Sequence, residues 1–358
     1  MSVKYVTVQW TKRKLIYDVF AVLGVAVYLG LFTAVTQLTR PDLTAQVVSM
    51  RAWGTCAFLM LTLILCIGPL ARLDRRFLPV LYNRRHFGVL MFVVGAVHAR
   101  HVMGFYHAYS DVPPPVSLLT WDAAFTPTSL PFQLFGAGAL LILLVMAVTS
   151  HDFWQKTLGA RVWKGLHMGV YAAFALLVLH VAYGALQLET HPGLALMVCL
   201  ATLSVVALHV IAGVRSTALE RDAAQPGALA WVEHEGTRWI DAGPPTRIPK
   251  NRALPVVGPT GERIAVIRHE GRVSAIHGVC AHQGGPLYEG KVIDGCLTCP
   301  WHGWQYRPED GCSPPPFAER VPTYRVAMAD GRVLVDPSPL PPGTAVPPVE
   351  LSPESDDV

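Results

Sequence analysis

Two cysteines and two histidines in the C-terminal part of the chain have the types and spacing of metal ligands. Cys280 and His282 stand two residues apart, and after sixteen further residues Cys299 and His302 stand three apart. Each pair offers one thiolate and one imidazole, so two short loops can supply four ligands to one centre. This set suits a [2Fe-2S] cluster with both thiolates on one iron and both imidazoles on the other. A zinc ion bound by the same four side chains is the alternative.

The segments around these ligands, GVCAHQGGPLYEG and CLTCPWHGWQY, resemble the two cluster-binding loops of the Rieske family. Gly285 and Trp301 occupy the positions where the cytochrome bc type has two further cysteines, so that disulfide cannot form. Trp304 replaces a serine that hydrogen-bonds a bridging sulfide in that type, whereas Tyr306 matches the second hydrogen-bond donor. The resemblance therefore points to Rieske ferredoxins and ring-hydroxylating oxygenases, with a potential in the lower part of about −150 to +300 mV.

Composition divides the 358-residue chain sharply in two. Long apolar runs dominate residues 1–214, whereas the remainder is polar and rich in Pro and Gly. The net charge is only +4, with the Arg excess in short loops, so nucleic acid is not an expected partner. Of the seven cysteines, three lie inside apolar runs and two are candidate cluster ligands. This usage favours a reducing compartment over a disulfide framework.

Six apolar stretches are long enough to cross a lipid bilayer, because a spanning helix needs roughly 20 residues. The predicted spans are Ile16–Leu38, Ala52–Ala71, Phe87–Tyr106, Phe132–Thr149, Trp163–Leu186 and Gly193–Val214. The first differs from a signal peptide because its apolar core is longer, contains Asp18 and is followed by five further spans. We therefore predict an all-α bundle of six transmembrane helices in the lipid bilayer.

Loop charges predict how the bundle is oriented. Lys and Arg are concentrated before the first span, between the second and third spans, and between the fourth and fifth. The loops at residues 107–131 and 187–192 contain neither residue. The basic segments are therefore expected on the cytoplasmic side. After six crossings the chain returns to the cytoplasm near Arg215, which predicts a multi-pass protein of the bacterial inner membrane with a cytoplasmic C-terminal domain.

Histidines inside the apolar stretches form a second set of candidate ligands. From the helical rise per residue, His98 and His180 are expected in the outer half of the bundle, and His167 and His209 in the inner half. Paired imidazoles at matching depths are what a b-type haem with two histidine ligands requires. A hydrogen bond between helices is the alternative for any one of them.

The bundle resembles the ferric-reductase-like transmembrane domain over roughly residues 15–214. Two stretches carry the resemblance: RRHFG at 84–88 followed by His98, and the segment 149–180 with two histidines thirteen residues apart. Within this family the sequence is most similar to the haem-bearing membrane subunit of the bacterial periplasmic methionine sulfoxide reductase system. NADPH oxidases and ferric reductases share the same core.

This resemblance implies one or two b-type haems, with His98, His167 and His180 as ligands. NADPH oxidases carry a second histidine at the inner end of the third helix, where this chain has two arginines and then His86. The inner partner of His167 is therefore His86, His209 or absent.

Past the bundle, short β-like runs are separated by Gly, Pro and Asp turns. The expected strands are ALAWVEH, RALPVVG, ERIAVIRH, RVSAIHG, YRVAMA and RVLVDP. They predict an antiparallel all-β sandwich with both cluster loops between strands. The predicted organisation is a cytoplasmic N-terminus at 1–15, the transmembrane haem domain at 16–214, a linker at 215–229, the Rieske domain at 230–336, and a disordered Pro-rich and acidic tail at 337–358.

Ferric reductases and NADPH oxidases append a flavin and nicotinamide domain on the cytoplasmic side, but this chain contains no GxGxxG fingerprint. The Rieske-like domain stands in that place. We therefore predict a membrane electron-transfer protein. A cytoplasmic reductase or ferredoxin is the expected donor to the cluster and then to haem, and the acceptor lies in the membrane or outside it. No residue is assigned as a general acid, base or nucleophile.

Three other functions are weighed against this one. A quinol-linked oxidoreductase similar to the cytochrome bc complexes is disfavoured by the missing disulfide and by the predicted topology. An oxygenase would need a further domain with iron on two histidines and a carboxylate, for which the chain ends too soon. A non-enzymatic iron–sulfur redox sensor would have a reducible cluster and no haem.

Overall fold

The computed structural model describes residues 12–77, 80–81, 84–107, 113, 116, 132–189, 191–224, 230–282, 284–300, 303–315 and 317–351. Contacts divide the chain into two compact units. One lies within residues 6–69 and 83–210, and it holds most of the apolar helices. The other lies within residues 70–82 and from Ile211 onward, and it holds all of the described strands.

Six long helices occur in the described part of the apolar region. They are α1 Lys12–Thr39, α2 Ala45–Leu73, α3 Arg84–Val102, α4 Phe132–Val148, α5 Asp152–Tyr183 and α6 Pro192–Ala224. All except α4 are long and apolar enough to cross a membrane, whereas α4 is apolar but has only 17 residues. The predicted helical membrane region is thus confirmed with five candidate spans. A sixth span at α4 stays a prediction.

The helices distribute their apolar side chains in the way a lipid environment favours. Phe20 on α1 is 68% exposed and Leu203 on α6 is 64% exposed, together with many other large apolar residues. An apolar surface of this extent is unfavourable in water and favourable against lipid. By contrast, α2 is the most buried of the five candidate spans and contributes Leu61 and Ile67 to the interior.

The last helix does not end where the sequence predicts. α6 continues past Arg215 to Ala224, so the first ten residues of the expected linker at 215–229 are helical. The segment contains Ala, Leu, Glu and Arg, which favour helix. The guanidinium of Arg215 also donates a 3.2 Å hydrogen bond to the carbonyl of Leu73.

Twelve strands are found among the described residues of the C-terminal part. They are β1 Ala230–His234, β2 Thr237–Gly243, β3 Arg252–Val257, β4 Arg263–His269, β5 Arg272–His277, β6 Lys291–Ile293, β7 Cys296–Thr298, β8 Gln305–Tyr306, β9 Thr323–Tyr324, β10 Val326–Ala329, β11 Arg332–Val335 and β12 Val349–Glu350. One antiparallel sheet has the order β1-β2-β11-β10. The other has the order β12-β5-β4-β3-β6-β7-β8, with β9 beside β5. The six predicted strands are all present.

The larger sheet is covered on both faces at β4. Ile264 and Val266 belong to a core cluster shared with the smaller sheet, which makes the domain a sandwich. Ala265 and Ile267 belong to a second cluster that contains Cys280 and Cys299. Because successive strand residues point to opposite faces, a strand buried on both sides reads as a continuous apolar run, as RIAVIRH does. This strand therefore links the sandwich core to the predicted cluster loops.

Four tight hairpins set the strand register. Each has an acidic residue followed by glycine, and both residues have positive φ in every case: Glu235-Gly236, Glu270-Gly271, Asp294-Gly295 and Asp330-Gly331. Two-residue turns of this kind match the right-handed twist of the flanking strands. They connect β1 to β2, β4 to β5, β6 to β7 and β10 to β11.

The expected disorder of the tail at 337–358 does not hold for residues 337–351. β12 pairs with β5, and the amide of Leu351 donates to the carbonyl of Gly271 over 2.7 Å. Earlier in this segment the amide of Leu340 donates to the carbonyl of Thr323 over 2.9 Å. The Pro-rich composition predicted disorder, but open edge positions on the sheet provide backbone partners. Residues 352–358 lie outside the described part of the chain.

Candidate metal centres

The two predicted cluster loops have the same local backbone structure. The amide of Cys280 donates to the carbonyl of Gly285, and the amide of Gly284 donates back to the carbonyl of Cys280, both over 2.8 Å. The amide of Cys299 likewise donates to the carbonyl five residues later, and the carbonyl of Cys299 accepts from Gly303. Gly284 and Gly303 both have φ of +72°, a conformation that glycine adopts without strain. Each loop thus folds around its cysteine in the same way.

Strands hold both loops at one end of the larger sheet. The first loop follows β5 and the second lies between β7 and β8, which confirms the predicted placement between strands. Cys280, His282 and Cys299 are each at most 2% exposed. The fourth predicted ligand, His302, and its neighbour Trp301 lie outside the described residues.

Tyr306 brings a hydrogen-bond donor to the cysteines. Its hydroxyl lies 3.4 Å from Sγ of Cys280, and Cys299 lies within its electrostatic range. Burial, followed by the neighbouring Cys280 sulfur, raises the pKa of Tyr306 far above its usual range. The phenol therefore keeps its proton and can donate to a sulfur atom. The tyrosine predicted as a donor from the sequence is thus placed beside a predicted ligand.

Trp304 shields the first loop from the side of the second. Its ring stacks on that of His282, with centroids 4.0 Å apart and planes 3° apart. The indole N–H donates to the hydroxyl of Ser313 over 3.0 Å, and Phe317 packs on the other part of the ring. Through these contacts Trp304, which follows the second loop, packs against the first. His282 is accordingly only 2% exposed.

The types of the donor atoms, more than the distances between them, indicate an iron–sulfur cluster. Among the described residues, no group of three or more Cys, His, Asp or Glu side chains is close enough to hold a metal ion by itself. However, two buried cysteines sit in loops of matching conformation, with a protonated phenol beside one of them. A cluster with thiolate ligands requires such a buried site with donors to sulfur.

The helical unit brings two of the predicted haem ligands together. The ring centroids of His98 on α3 and His180 on α5 are 6.3 Å apart, with planes at 78°. Nδ1 of His98 donates to the carbonyl of Met50 over 2.9 Å, and Nδ1 of His180 donates to that of Phe132 over 2.8 Å. The sequence predicted that these two histidines face each other. It did not predict the carbonyls that hold them.

The inner histidines are arranged differently. His167 stacks on Trp163 with ring centroids 3.7 Å apart, and its Nε2 is buried without a hydrogen-bond partner in the described part of the chain. His209 has both nitrogens engaged, Nδ1 by the carbonyl of Val205 and Nε2 by the hydroxyl of Tyr171. The His209 ring is therefore committed to other groups within the bundle.

The remaining candidate for the inner site, His86, pairs with an acidic residue. Its Nδ1 lies 2.9 Å from a carboxylate oxygen of Asp18 on α1. In the sequence, Asp18 served only to distinguish the first span from a signal peptide. The pair offers a reason for that charge, because a carboxylate at membrane depth needs a partner.

An ion cluster, which the sequence did not reveal, joins three segments of the helical unit. The carboxylate of Glu189, whose side chain is 8% exposed, accepts from Arg40 over 3.1 Å and from Arg51 over 2.7 Å. Arg51 directly follows Met50, whose carbonyl holds His98. Residues about 140 positions apart in sequence meet here, and no local pattern signals such a pairing.

Two family models match the chain, and together they define a membrane protein built for electron transfer. The Rieske [2Fe-2S] domain matches residues 238–325, which contain all four predicted cluster ligands. The ferric reductase like transmembrane component matches residues 53–178, which contain His98 and His167. The chain therefore combines a ferric-reductase-like transmembrane domain with a Rieske [2Fe-2S] domain, in a multi-pass membrane protein.

Curated relatives match over short stretches. The ferredoxin component of the alkene monooxygenase system of Xanthobacter autotrophicus is 37% identical over 79 residues, which cover 22% of this chain and 65% of that protein. Cholesterol 7-desaturase of Xenopus laevis is 48% identical over 67 residues, covering 18% of this chain and 15% of the desaturase. Chlorophyllide a oxygenase of Chlamydomonas reinhardtii is 34% identical over 128 residues, covering 34% of this chain and 20% of the oxygenase. The chain thus spans a fifth or less of the last two relatives.

Among solved structures, the ferredoxin of carbazole 1,9a-dioxygenase from Nocardioides aromaticivorans matches 28% of this chain and 98% of its own length. Its sequence identity is 20% and its TM-score is 0.26.

Proposed function

We propose that this protein carries single electrons between a Rieske [2Fe-2S] cluster on its two cysteine–histidine loops and a b-type haem held by His98 and His180. The observation that carries the proposal is the 6.3 Å separation of these two imidazole rings in the helical unit. The expected donor is a cytoplasmic reductase or ferredoxin. The expected acceptor lies in the membrane or on its outer side.

The separation of the two rings suits one metal ion between them. A metal ion bonded to both imidazoles at about 2 Å would leave room for ring centroids roughly 6 Å apart. The observed 6.3 Å agrees with this value. The hydrogen bond between helices that the sequence left as the alternative is present for both histidines, but it uses only Nδ1 of each ring.

These carbonyl bonds also select the form of each imidazole. A carbonyl oxygen only accepts, so Nδ1 of His98 and of His180 must carry the proton. Nε2 of each ring then keeps its lone pair, which is the form that binds a metal. The chain's own contribution is thus to fix both rings in the ligating tautomer within a low-dielectric bundle. When bound, the cluster and the haem supply one-electron oxidation and reduction.

His167 is proposed as a ligand at the inner end of the bundle, without a second imidazole from His209. Its buried Nε2 has no partner among the described residues, whereas both nitrogens of His209 are engaged. Cζ of Arg85 lies over the ring of Trp163, 5.0 Å from its centroid, so a cation lies beside the stacked pair. The closer likeness to the methionine sulfoxide reductase subunit stays a prediction.

The cytoplasmic location of the Rieske domain is likewise proposed, from the distribution of Lys and Arg. Residues 72–86 contain five arginines, whereas residues 107–131 contain no Lys or Arg. A reporter enzyme fused after Leu351 tests the orientation. Activity of a reporter that works only in the cytoplasm is expected, and activity of one that works only outside it would reverse the proposed direction of electron flow.

The haem assignment is tested on the full-length protein purified in detergent. Wild type is expected to show a haem Soret band and the EPR signal of a reduced Rieske cluster. His98→Ala and His180→Ala are each expected to lose the low-spin haem and to keep the cluster signal, because the ligands belong to separate units. His191→Ala is the matched control, since His191 is an exposed residue of the loop before α6. A wild-type protein with a cluster but no haem would reject the proposal in favour of a redox sensor.

Electron passage needs a separate experiment. Cys299→Ser removes a proposed cluster ligand, and Cys312→Ser, a cysteine of the same domain outside the two loops, is its control. With photoreduced ferredoxin as donor, haem reduction followed by stopped-flow absorbance is expected in wild type and in the control, and is expected to be lost in Cys299→Ser. Dithionite should still reduce the haem of all three proteins. Equal haem reduction rates with and without the cluster would show that electrons bypass it.

A further inference from the structure

Each histidine of the 6.3 Å pair lies directly against a glycine of a neighbouring helix. A Cβ atom added to Gly54 of α2 would stand 2.9 Å from both Nδ1 and Cε1 of His98. A Cβ atom added to Gly136 of α4 would stand 2.9 Å from the same two atoms of His180. Non-bonded atoms do not approach this closely in a packed interior. A larger residue at either position would therefore displace the imidazole.

The hydrogen bonds follow the same rule on both sides. Nδ1 of His98 donates to Met50 and Nδ1 of His180 donates to Phe132. In both helices the acceptor carbonyl belongs to the residue four positions before the glycine. Residues four apart lie one above the other on one helix face, so carbonyl and glycine present one continuous surface to the ring. Two helices thus hold an imidazole in the same way, with a backbone carbonyl and a glycine.

We propose that Gly54 and Gly136 are positioning residues that set the distance and the angle between the two haem-ligating imidazoles. This inference rests on the proposed function of His98 and His180 as ligands. Each glycine lets the ring reach the carbonyl that fixes its tautomer. Because glycine has no side chain, nothing pushes the ring away from that carbonyl. A ligand must be held within about 0.5 Å of its productive position. Since ordinary contact begins at 3.4 Å, a Cβ at 2.9 Å would push the ring away by that amount or more.

Glycine-to-alanine variants test the proposal, with controls in the same two helices. Gly54→Ala is compared with Gly68→Ala in α2, where the new Cβ would meet Nη1 of Arg84 at an ordinary 3.6 Å. Gly136→Ala is compared with Gly138→Ala in α4, where the nearest atom is Cδ1 of Leu176, also at 3.6 Å. Alanine favours helix over glycine at all four positions, so a loss of helix propensity cannot explain a loss of haem.

Haem content and the low-spin EPR signal of the full-length protein are the readouts. Gly54→Ala and Gly136→Ala are expected to retain haem roughly 10- to 100-fold more weakly, the range typical of groups that orient a metal ligand. Haem that remains should show a shifted signal, while both controls keep the wild-type spectrum. Wild-type spectra in all four variants would overturn the inference and leave the histidine ligands untouched. Absence of haem from the wild type would instead overturn the proposed function.

A measurement on the wild type keeps the inference testable if a variant fails to fold. The ring planes lie at 78° to each other, and imidazole planes near perpendicular give a highly anisotropic low-spin EPR signal. Parallel planes give a rhombic signal instead. The ring angle that the glycines and carbonyls impose predicts the anisotropic form. A purely rhombic wild-type signal would show that these groups do not set the ring angle.

Discussion

The hydroxyl of Tyr306 lies 3.4 Å from Sγ of Cys280, at the buried end of the larger β-sheet. Because its pKa is raised by burial and by the Cys280 sulfur, the phenol acts as a donor. A donor beside a cluster sulfur stabilises the more negative, reduced state and so raises the potential.

Tyr306→Phe is therefore expected to lower the midpoint potential of the cluster. A hydrogen bond to a charged group contributes about 1.5–3 kcal/mol, and only part of this differs between the redox states. At about 60 mV per factor of ten for one electron, the shift should be roughly tens of mV. Redox titration monitored by EPR measures it.

Tyr324→Phe is the matched control for this prediction. Tyr324 is buried in the core between the two sheets and its hydroxyl faces Nδ1 of His277 at 3.4 Å. Removing that hydroxyl should leave the potential of the cluster unchanged. An equal shift in both variants would mean that general loosening of the domain, and not the bond to Cys280, changed the potential.

How much of the β domain the sequence predicts depends on whether the signal is local. The sequence predicts β4 and β5 because residues 263–277 contain an apolar run, then a Glu-Gly turn, then a second apolar run. β2 was missed because it contains Asp241. That carboxylate is buried and is paired at 2.6 Å with Arg332, which lies 91 residues further along the chain. No reading of the local pattern can supply such a partner.

The candidate haem site shows the same limit. Depth along each helix predicted that His98 and His180 meet, because the rise per residue is fixed. The glycines that contact these two rings could not be predicted, since Gly54 and Gly136 acquire their role only from the packing of other helices. The expected disorder at 337–351 failed for a related reason, because composition does not report a vacant sheet edge.

The ion cluster around Glu189 predicts a stability effect. Glu189→Gln removes the carboxylate that Arg40 and Arg51 share. The two guanidinium groups are 39% and 30% exposed, so water screens the loss and the cost should be at most about 1 kcal/mol. Thermal unfolding of the detergent-solubilised protein should show a lower Tm. Asp42→Asn is the control, because Asp42 pairs with Arg40 at a site that is 62% exposed.

The same carboxylate predicts a pH dependence. Burial alone would raise the pKa of Glu189, but hydrogen bonds from the His191 amide and from Arg40 and Arg51 lower it below its ordinary 4.5. A depressed pKa in the folded state stabilises the fold above the unfolded value, and this stabilisation is lost as the pH falls through the folded pKa. The Tm difference between wild type and Glu189→Gln should thus shrink below pH 4.5. A Tm difference that stays constant with pH would show that the carboxylate charge is not its cause.

The engagement of His209 predicts which inner histidine affects haem. Nδ1 of His209 faces the carbonyl of Val205 and must donate, so Nε2 accepts from the hydroxyl of Tyr171, 2.9 Å away. No lone pair is left for a metal. His209→Ala is therefore expected to keep the wild-type ratio of haem to protein, measured as the pyridine haemochrome, and the wild-type low-spin signal.

His167→Ala is the variant to compare with His209→Ala. The buried Nε2 of His167 has no partner in the described part of the bundle, so His167 is the inner histidine whose loss should affect haem. A haem bound by this one imidazole would be high-spin. His167→Ala should remove a high-spin EPR component and leave the low-spin signal of the outer pair in place. Loss of a second low-spin haem in both His167→Ala and His209→Ala would show that these rings ligate one iron. The hydrogen bond between His209 and Tyr171 would then have to break when haem binds.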